Sequence, residues 1–249
     1  MKKKSVVVTG GNSGIGLKIT EAFINAGYYV IVGARRDLNL KEKFGNKVSF
    51  IPTDVRNEDA HVELVNEAIS KAGQLDIYIN NAGFSEWRPI GDIDDNFLDN
   101  IISTNLKGAF WGCKAASRVM KDGASIINIS SIAGKRGSTN NSAYCATKFG
   151  MNGLTQSLAK ELGSSGIRVN AVCPVIVETD GLIEALKSPS SPGHPNPNEF
   201  ILNFKKTNAA LGRLPSGDEI ASMCLMLASD SASAVTGQCI NIDCGVFPQ

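Results

Sequence analysis

The junction near the start of the chain limits its fold more than any other stretch. Ser5-Val6-Val7-Val8-Thr9 is a short apolar, β-branched run that leads directly into Gly10-Gly11-Asn12-Ser13-Gly14-Ile15-Gly16. An unbroken run of this kind suits a strand buried on both faces, as in a parallel sheet. After the glycines, Leu17 to Ala26 is amphipathic, and Gly27 closes it. The order is strand, glycine turn, helix, helix stop. Gly10 is expected to make the tight turn off the strand, Gly14 to let backbone approach a pyrophosphate, and Gly16 to let the helix pack near the sheet. A helix start offers free N–H groups and the positive end of a dipole to phosphate. The stretch therefore reads as a nucleotide site built largely from backbone.

Alternation continues along the chain. Further strands are expected at Val30 to Ala34, Val48 to Pro52, Leu75 to Ile79, Ser125 to Ile129, Ile167 to Val172 and Cys239 to Ile242. Glu58 to Ala72 reads as a helix with Val62, Val65 and Ile69 on its apolar face. The pattern predicts one α/β domain over residues 1–249, a doubly wound parallel sheet of about seven strands with helices on both faces. The segment from Ser188 to Asn198 is rich in proline and serine, and its prolines are expected to exclude a regular helix.

Composition narrows the function. A chain of 249 residues with 43% apolar content can bury a sizeable core. The net charge of +1 gives no ground for a nucleic-acid or acidic-membrane partner. Lys2-Lys3-Lys4 reads as a solvated edge that runs into the first strand with no apolar leader region, and no stretch is long enough to span a bilayer. Cys113, Cys145, Cys173, Cys224, Cys239 and Cys244 show neither zinc spacing nor disulfide density, so most are expected to be small buried residues, with Cys145 partly accessible. A cytoplasmic location is the simplest expectation. His61 reads as a helix-surface residue and His194 as a segment residue able to contact substrate, and the two form no metal cluster.

Chemistry is carried by Tyr144 and Lys148, a Y-x-x-x-K step, with Ser131 upstream. On a helix, residues four apart lie on one face. A neighbouring ammonium favours the phenolate and is expected to lower the tyrosine from its reference pKa of about 10. Such a tyrosine can exchange a proton with an alcohol or carbonyl, and a serine hydroxyl can hold the same substrate oxygen.

Taken with Asn80-Asn81-Ala82-Gly83, the G-x-x-x-G-x-G turn and the Ser131, Tyr144 and Lys148 set, the chain resembles the short-chain dehydrogenase/reductase family over nearly its whole length. The resemblance implies a Rossmann-type domain, a nicotinamide cofactor and oxidoreduction between alcohols and carbonyls. Residues 1–100 would be mainly the cofactor half, and residues 101–249 the catalytic and oligomerisation half, with a substrate lid at about 179–210. It implies a catalytic group of Asn105, Ser131, Tyr144 and Lys148. Ser131, favoured over Ser130 by its spacing to Tyr144, would position the substrate oxygen. Tyr144 would be the general acid in reduction and the base in oxidation. Lys148 would lower the tyrosine pKa and bind the nicotinamide ribose, and Asn105 would hold a water linking Lys148 to solvent.

The resemblance places Gly10, Asn12, Ser13, Gly14, Ile15 and Gly16 around the cofactor phosphates. It places Asp54 and Val55 at the adenine, Asn81, Ala82 and Gly83 on the ribose side, and Val177 and Thr179 at the carboxamide and phosphate. Ala34 stands where NAD-preferring relatives carry an acid, and Arg35 where NADP-preferring relatives often carry arginine. NADP(H) is thus favoured, with NAD(H) the alternative. Candidate pocket walls are Phe84, Ser85, Trp87, Ser131, Thr139, Tyr144, Val175 and Leu182. Two departures stand out: Pro174-Val175 replaces the usual Pro-Gly, and Asp243-Cys244-Gly245 the usual Asp-Gly-Gly. A homotetramer or homodimer is expected through the helix holding Asn105 and the one from Tyr144 to Leu162, where Ala146, Gly150 and Gly153 permit close contact. A nucleotide-sensing binding protein on the same fold is the alternative of another class.

Overall fold

Alternate residues of the β-branched runs at 5–9 and 29–34 feed two different cores, which explains why both faces of these runs are largely apolar. A computed structural model describes residues 4–248. Its strands are β1 (Ser5–Thr9), β2 (Tyr29–Ala34), β3 (Val48–Pro52), β4 (Ile77–Asn80), β5 (Ser125–Ile129), β6 (Arg168–Pro174) and β7 (Cys239–Ile242). All pair in parallel, in the order β3-β2-β1-β4-β5-β6-β7. The helices are α1 (Gly14–Asn25), α2 (Leu40–Phe44), α3 (Glu58–Ala72), α4 (Asp95–Ile102), α5 (Gly108–Ser117), α6 (Ser142–Leu162), α7 (Asp180–Leu186), α8 (Pro197–Asn208) and α9 (Gly217–Ala228).

Val6, Val8, Val30, Val32, Ile77 and Ile79 point to one face of the sheet, where they meet Ile19 and Phe23 of α1 and Ile220 and Leu227 of α9. Val7, Ile31, Tyr78 and Ile126 point to the other, against Leu64 and Val65 of α3 and Ala116 of α5. Each such fully buried aliphatic chain contributes about 1.5–3 kcal/mol. A third cluster lies beyond β6, where Trp87, Ile132, Val175, Leu186, Ile201 and Val246 pack together with Leu182 and Phe204. The strand order reverses at β1 and β4. In open α/β sheets this switch point opens a crevice at the carboxyl ends of the strands.

Several expectations need correction. β4 starts at Ile77 rather than Leu75, although Leu75 is buried beneath it. The buried face of α3 is His61, Leu64, Val65, Ala68 and Ala72, whereas Ile69 is exposed and Val62 only partly buried. The helix is seated by contact with both the sheet and α5, and that contact selected a stripe containing a histidine over the one richest in β-branched residues. The proline-rich segment is not free of helix at its end. α8 begins at Pro197, where a missing N–H costs nothing in the first turn, and the Asn196 side chain accepts from Glu199 N at 3.3 Å. Cys145 is buried, on the inner side of α6. Lys4 is exposed, while Lys2 and Lys3 lie outside the described residues. Among the described residues, no helix is long and apolar enough to cross a membrane.

Candidate active site

The glycine turn leaves β1 at the switch point. Gly10 has φ +64°, and its N–H donates to Gly33 O at 2.7 Å, so the tight turn is as expected. A Cβ on Gly16 would overlap Gly10 O and the Asn81 amide, so Gly16 lets α1 sit against the ends of β1 and β4. Gly11 is pressed close as well, since a Cβ there would lie 2.7 Å from Thr20 Oγ1 and 3.1 Å from both Val8 and Val32. Gly14, at φ +51°, faces Thr179 across the crevice, with a Cβ there lying 3.6 Å from the Thr179 methyl. Thr179 caps α7 by accepting from Leu182 N at 3.2 Å.

Ser13 takes the N-cap position of α1 in extended conformation without a side-chain cap bond, unlike Asn57 of α3 or Asp94 of α4. The first-turn amides of α1 are thus left for another acceptor. Ile15 packs on the core beneath them. Asn12 donates to Arg36 O at 2.7 Å and ties the turn to the end of β2. Arg35 is exposed there, and its charge helps hold the Asp54 carboxyl below its usual range. The larger cause is Arg56, whose Nε donates to both Asp54 oxygens at 2.9 and 3.0 Å. Asp54 is therefore clamped by a neighbour that reading the sequence did not name.

Thr9 is a second omission. Its hydroxyl accepts from Asn81 N at 3.0 Å and Ala82 N at 3.1 Å, while the Asn81 amide donates to Thr9 O at 2.9 Å. The signal was its place directly before the glycines. Together these bonds lock the ends of β1 and β4 across the crevice.

Gly83 sits against the catalytic candidates, since a Cβ there would be 3.1 Å from Asn105 Oδ1 and 4.0 Å from Lys148 Nζ. Asn105 lies in a π-turn, Ser103–Lys107, between α4 and α5. It is fully buried; its amide donates to Phe84 O at 2.7 Å and its Oδ1 accepts from Phe84 N at 3.0 Å. The side chain braces the Phe84 peptide.

Tyr144 and Lys148 share one face of α6, and Lys148 Nζ lies 5.6 Å from the tyrosine ring centroid. Nζ donates to Ile129 O at 2.8 Å. Burial pushes Lys148 down to about 8 and Tyr144 up to about 12, the latter opposed by a hydrogen bond with Ser131. The expected lowering of the tyrosine is thus not seen in the protein alone. Desolvation of both groups outweighs their attraction, and the ammonium is spent on a backbone carbonyl. Ser131 starts the turn Ile132–Gly134, its Oγ accepting from Ala133 N at 3.1 Å. Ser130 turns away into the interior and donates to Lys148 O at 3.4 Å.

The pocket walls fall into two groups. Phe84 packs with Tyr144, Phe97 and Ala143. Trp87, Val175 and Leu182 belong to the cluster formed with the 179–210 segment. Ser85 is half-buried nearby in sequence, and Thr139 is exposed. Val177 is buried in the main core. Val175 keeps ordinary backbone geometry, so valine is tolerated where relatives carry glycine. Cys244 does not, since it is held at φ +53°. His194 is exposed, and its Nδ1 lies 3.3 Å from Lys187 O. His61 is the largest departure, for it is fully buried with both ring nitrogens bonded.

An uncapped helix start behind a glycine turn, with an arginine at the end of β2, fits the phosphates of a dinucleotide. The fold and site together define an α/β nucleotide-dependent oxidoreductase. The family profile described as enoyl-(acyl carrier protein) reductase matches residues 10–247. The chain is 35% identical to 3-oxoacyl-(acyl-carrier-protein) reductase FabG of Chlamydia muridarum, with 98% of this chain and 97% of that protein covered. It is 34% identical to a probable galactose dehydrogenase, GalD, of Rhizobium meliloti, covering 99% and 96%. A glucose/ribitol-type dehydrogenase structure from Brucella melitensis superposes with a TM-score of 0.89 at 31% identity, covering 99% of this chain and 97% of that one. Actinorhodin polyketide ketoreductase with NADPH gives 0.89 at 30%, covering 98% and 97%. The chain belongs to the short-chain dehydrogenase/reductase family and is an NAD(P)-dependent oxidoreductase acting on hydroxyl and carbonyl groups.

Proposed function

We propose that the protein is a reductase that takes its hydride from NADPH and delivers it to a ketone of modest size, reversibly. The observation that carries this reading is Arg35 at the carboxyl end of β2, beside Ala34 where an acid would repel a phosphate. A guanidinium binds phosphate through a planar fork. The NADPH-bound ketoreductase neighbour and the reductase FabG point the same way. The alternative is an NAD(H)-dependent alcohol dehydrogenase, for which the sugar dehydrogenase relative speaks.

The nicotinamide, when bound, supplies the hydride. The protein's own residues handle the oxygen and its proton. Ser131 donates a hydrogen bond to the substrate oxygen and holds it before Tyr144. Tyr144 gives up its phenolic proton to that oxygen as negative charge develops there. Lys148, held by Ile129 O, holds the ribose and places its positive charge beside the phenol. Asn105 keeps the Phe84 peptide in place beside Lys148. Leu182 and its neighbours beyond β6 form the lid that excludes water.

A parallel thermal-shift titration with NADP⁺ and NAD⁺ tests the cofactor. A hundredfold excess over Kd should add about 2.7 kcal/mol of stability. NADP⁺ should give the larger shift, and Arg35→Asp should reverse the preference; a larger shift with NAD⁺ in the parent protein would refute the NADP reading. For the chemistry, Tyr144→Phe should cut turnover by about a hundredfold or more while leaving NADPH affinity within a few-fold. Parent-rate turnover by that variant would remove Tyr144 from the mechanism.

A further inference from the structure

His61 has no place in the chemistry above, yet it is a fully buried ionisable ring with both nitrogens bonded. It lies on the inner face of α3 at 0% exposure. Its Nε2 is 2.9 Å from Val55 O, and its Nδ1 is 2.7 Å from the Tyr78 hydroxyl on β4. A carbonyl oxygen only accepts, so Nε2 must carry the proton. Nδ1 is then the acceptor, and the Tyr78 hydroxyl donates to it. The chain runs in one direction, from Tyr78 O–H to His61 and from His61 N–H to the carbonyl of Val55. Burial pushes the imidazole pKa down, so the neutral form the chain needs is the stable one.

The receiving end is what gives this chain a purpose. Val55 is 8% exposed, and its carbonyl and side chain are also pressed by α5, where a Cβ on Gly108 would come within 3.0 Å of Val55 O and 3.1 Å of Val55 Cβ. Asp54, one residue earlier, is clamped from outside by Arg56. The Asp54-Val55 edge is thus held from the sheet side by His61 and from the solvent side by Arg56. An apolar residue in this position would leave the buried Tyr78 hydroxyl and the Val55 carbonyl without the partner that His61 gives them. What the imidazole supplies, and a leucine cannot, is a donor aimed at one carbonyl.

We infer that His61 is a positioning residue for the adenine end of the cofactor, holding the Asp54-Val55 edge through the bond to Val55 O, with Tyr78 orienting the ring. The inference rests on the reading of Asp54 and Val55 as the adenine contact. The Gln variant can still donate to Val55 O, whereas leucine cannot.

The test is isothermal titration of the purified enzyme with 2′,5′-ADP, 5′-AMP and NADPH, for the parent, His61→Gln, His61→Leu and Tyr78→Phe. Each variant is also assayed for kcat at saturating cofactor. His61→Leu should weaken the adenine fragment that the parent binds, and NADPH, by about tenfold. Its kcat should stay within about twofold, and His61→Gln should recover most of the affinity. Folded His61→Leu that binds the fragment like the parent overturns the inference. So does an equal loss in His61→Gln, which would mean that ring shape alone matters. Should His61→Leu fail to fold, Tyr78→Phe decides: a severalfold loss of fragment affinity supports the inference, and parent affinity overturns it. A parent enzyme that binds NADPH but neither fragment would instead refute the adenine reading of Asp54 and Val55, and the inference with it.

Discussion

Lys148 is 5% exposed and carries its ammonium into a site with one backbone carbonyl to receive it. Burial holds it at about 8, below its ordinary 10.5. Between these values the unfolded chain binds more protons than the folded one, so stability must rise with pH across that window. Tyr144 has the opposite sign. Its folded value of about 12 lies above its ordinary 10, so stability falls between pH 10 and 12. Burial holds Cys113 and Cys224 up at about 12 against an ordinary 9, so both lose stability over the upper part of the same range, and the Lys148 contribution is read as a difference. Between pH 8 and 10 the urea stability of the parent, without added cofactor, should change more favourably than that of Lys148→Met by about 2 kcal/mol. Equal slopes in the two proteins would show that Lys148 is not depressed. Both residues were legible in the sequence as a Y-x-x-x-K step, but the sign of the tyrosine shift was not. A spacing reports which groups are neighbours and says nothing of how much water each has lost.

At the scale of elements, the turn after β7 shows how a local pattern can depart from its surroundings. Cys244 adopts φ +53° and Gly245 φ +80°, and the preceding Asp243 carboxylate accepts from Gly245 N at 3.0 Å and Phe247 N at 2.8 Å. The backbone is fixed by those bonds, so a Cβ at 244 must endure a left-handed conformation that costs about 1–2 kcal/mol. Cys244→Gly should raise the melting temperature by about 1–3 °C, the relief of strain being offset in part by glycine's unfolded-state entropy. An unchanged or lower Tm would show that the Cys244 side chain contributes more by packing than the strain removes. The strands were read closely from their β-branched runs, because a strand between two cores needs apolar residues at every position. The buried face of α3 was misread at Val62 and Ile69. Helix faces are selected by what packs on them, and α3 meets both sheet and α5, where a bonded His61 and small Ala68 fit better than a further branched chain.

For the whole molecule, the surface beside the site carries the next expectation. Phe110 on α5 and Phe149 on α6 are each 49% exposed, and Ile102 at the end of α4 is exposed as well. Gly150 lies on the same helix with Leu106 against it, as a Cβ there would lie 2.9 Å from Leu106 Cδ2. An apolar face of this kind fits a second copy of the chain. Light scattering should find a dimer or tetramer for the parent, and Phe149→Glu, which puts a charge in the seam, should shift it to smaller species. A parent that runs as a monomer would refute the assembly. The strand positions, the glycine turn and the placing of Tyr144 and Lys148 on one helix face were legible in the sequence alone, because each rests on short-range chemistry: glycine at positive φ, periodic burial, two side chains one helical turn apart. The tertiary structure decided the rest. It seated Gly11 against Val8 and Val32, spent the Asn105 amide on Phe84 and buried His61 between Tyr78 and Val55. Each of these depends on a partner far along the chain or on the removal of water, and neither is encoded in the spacing of neighbouring residues.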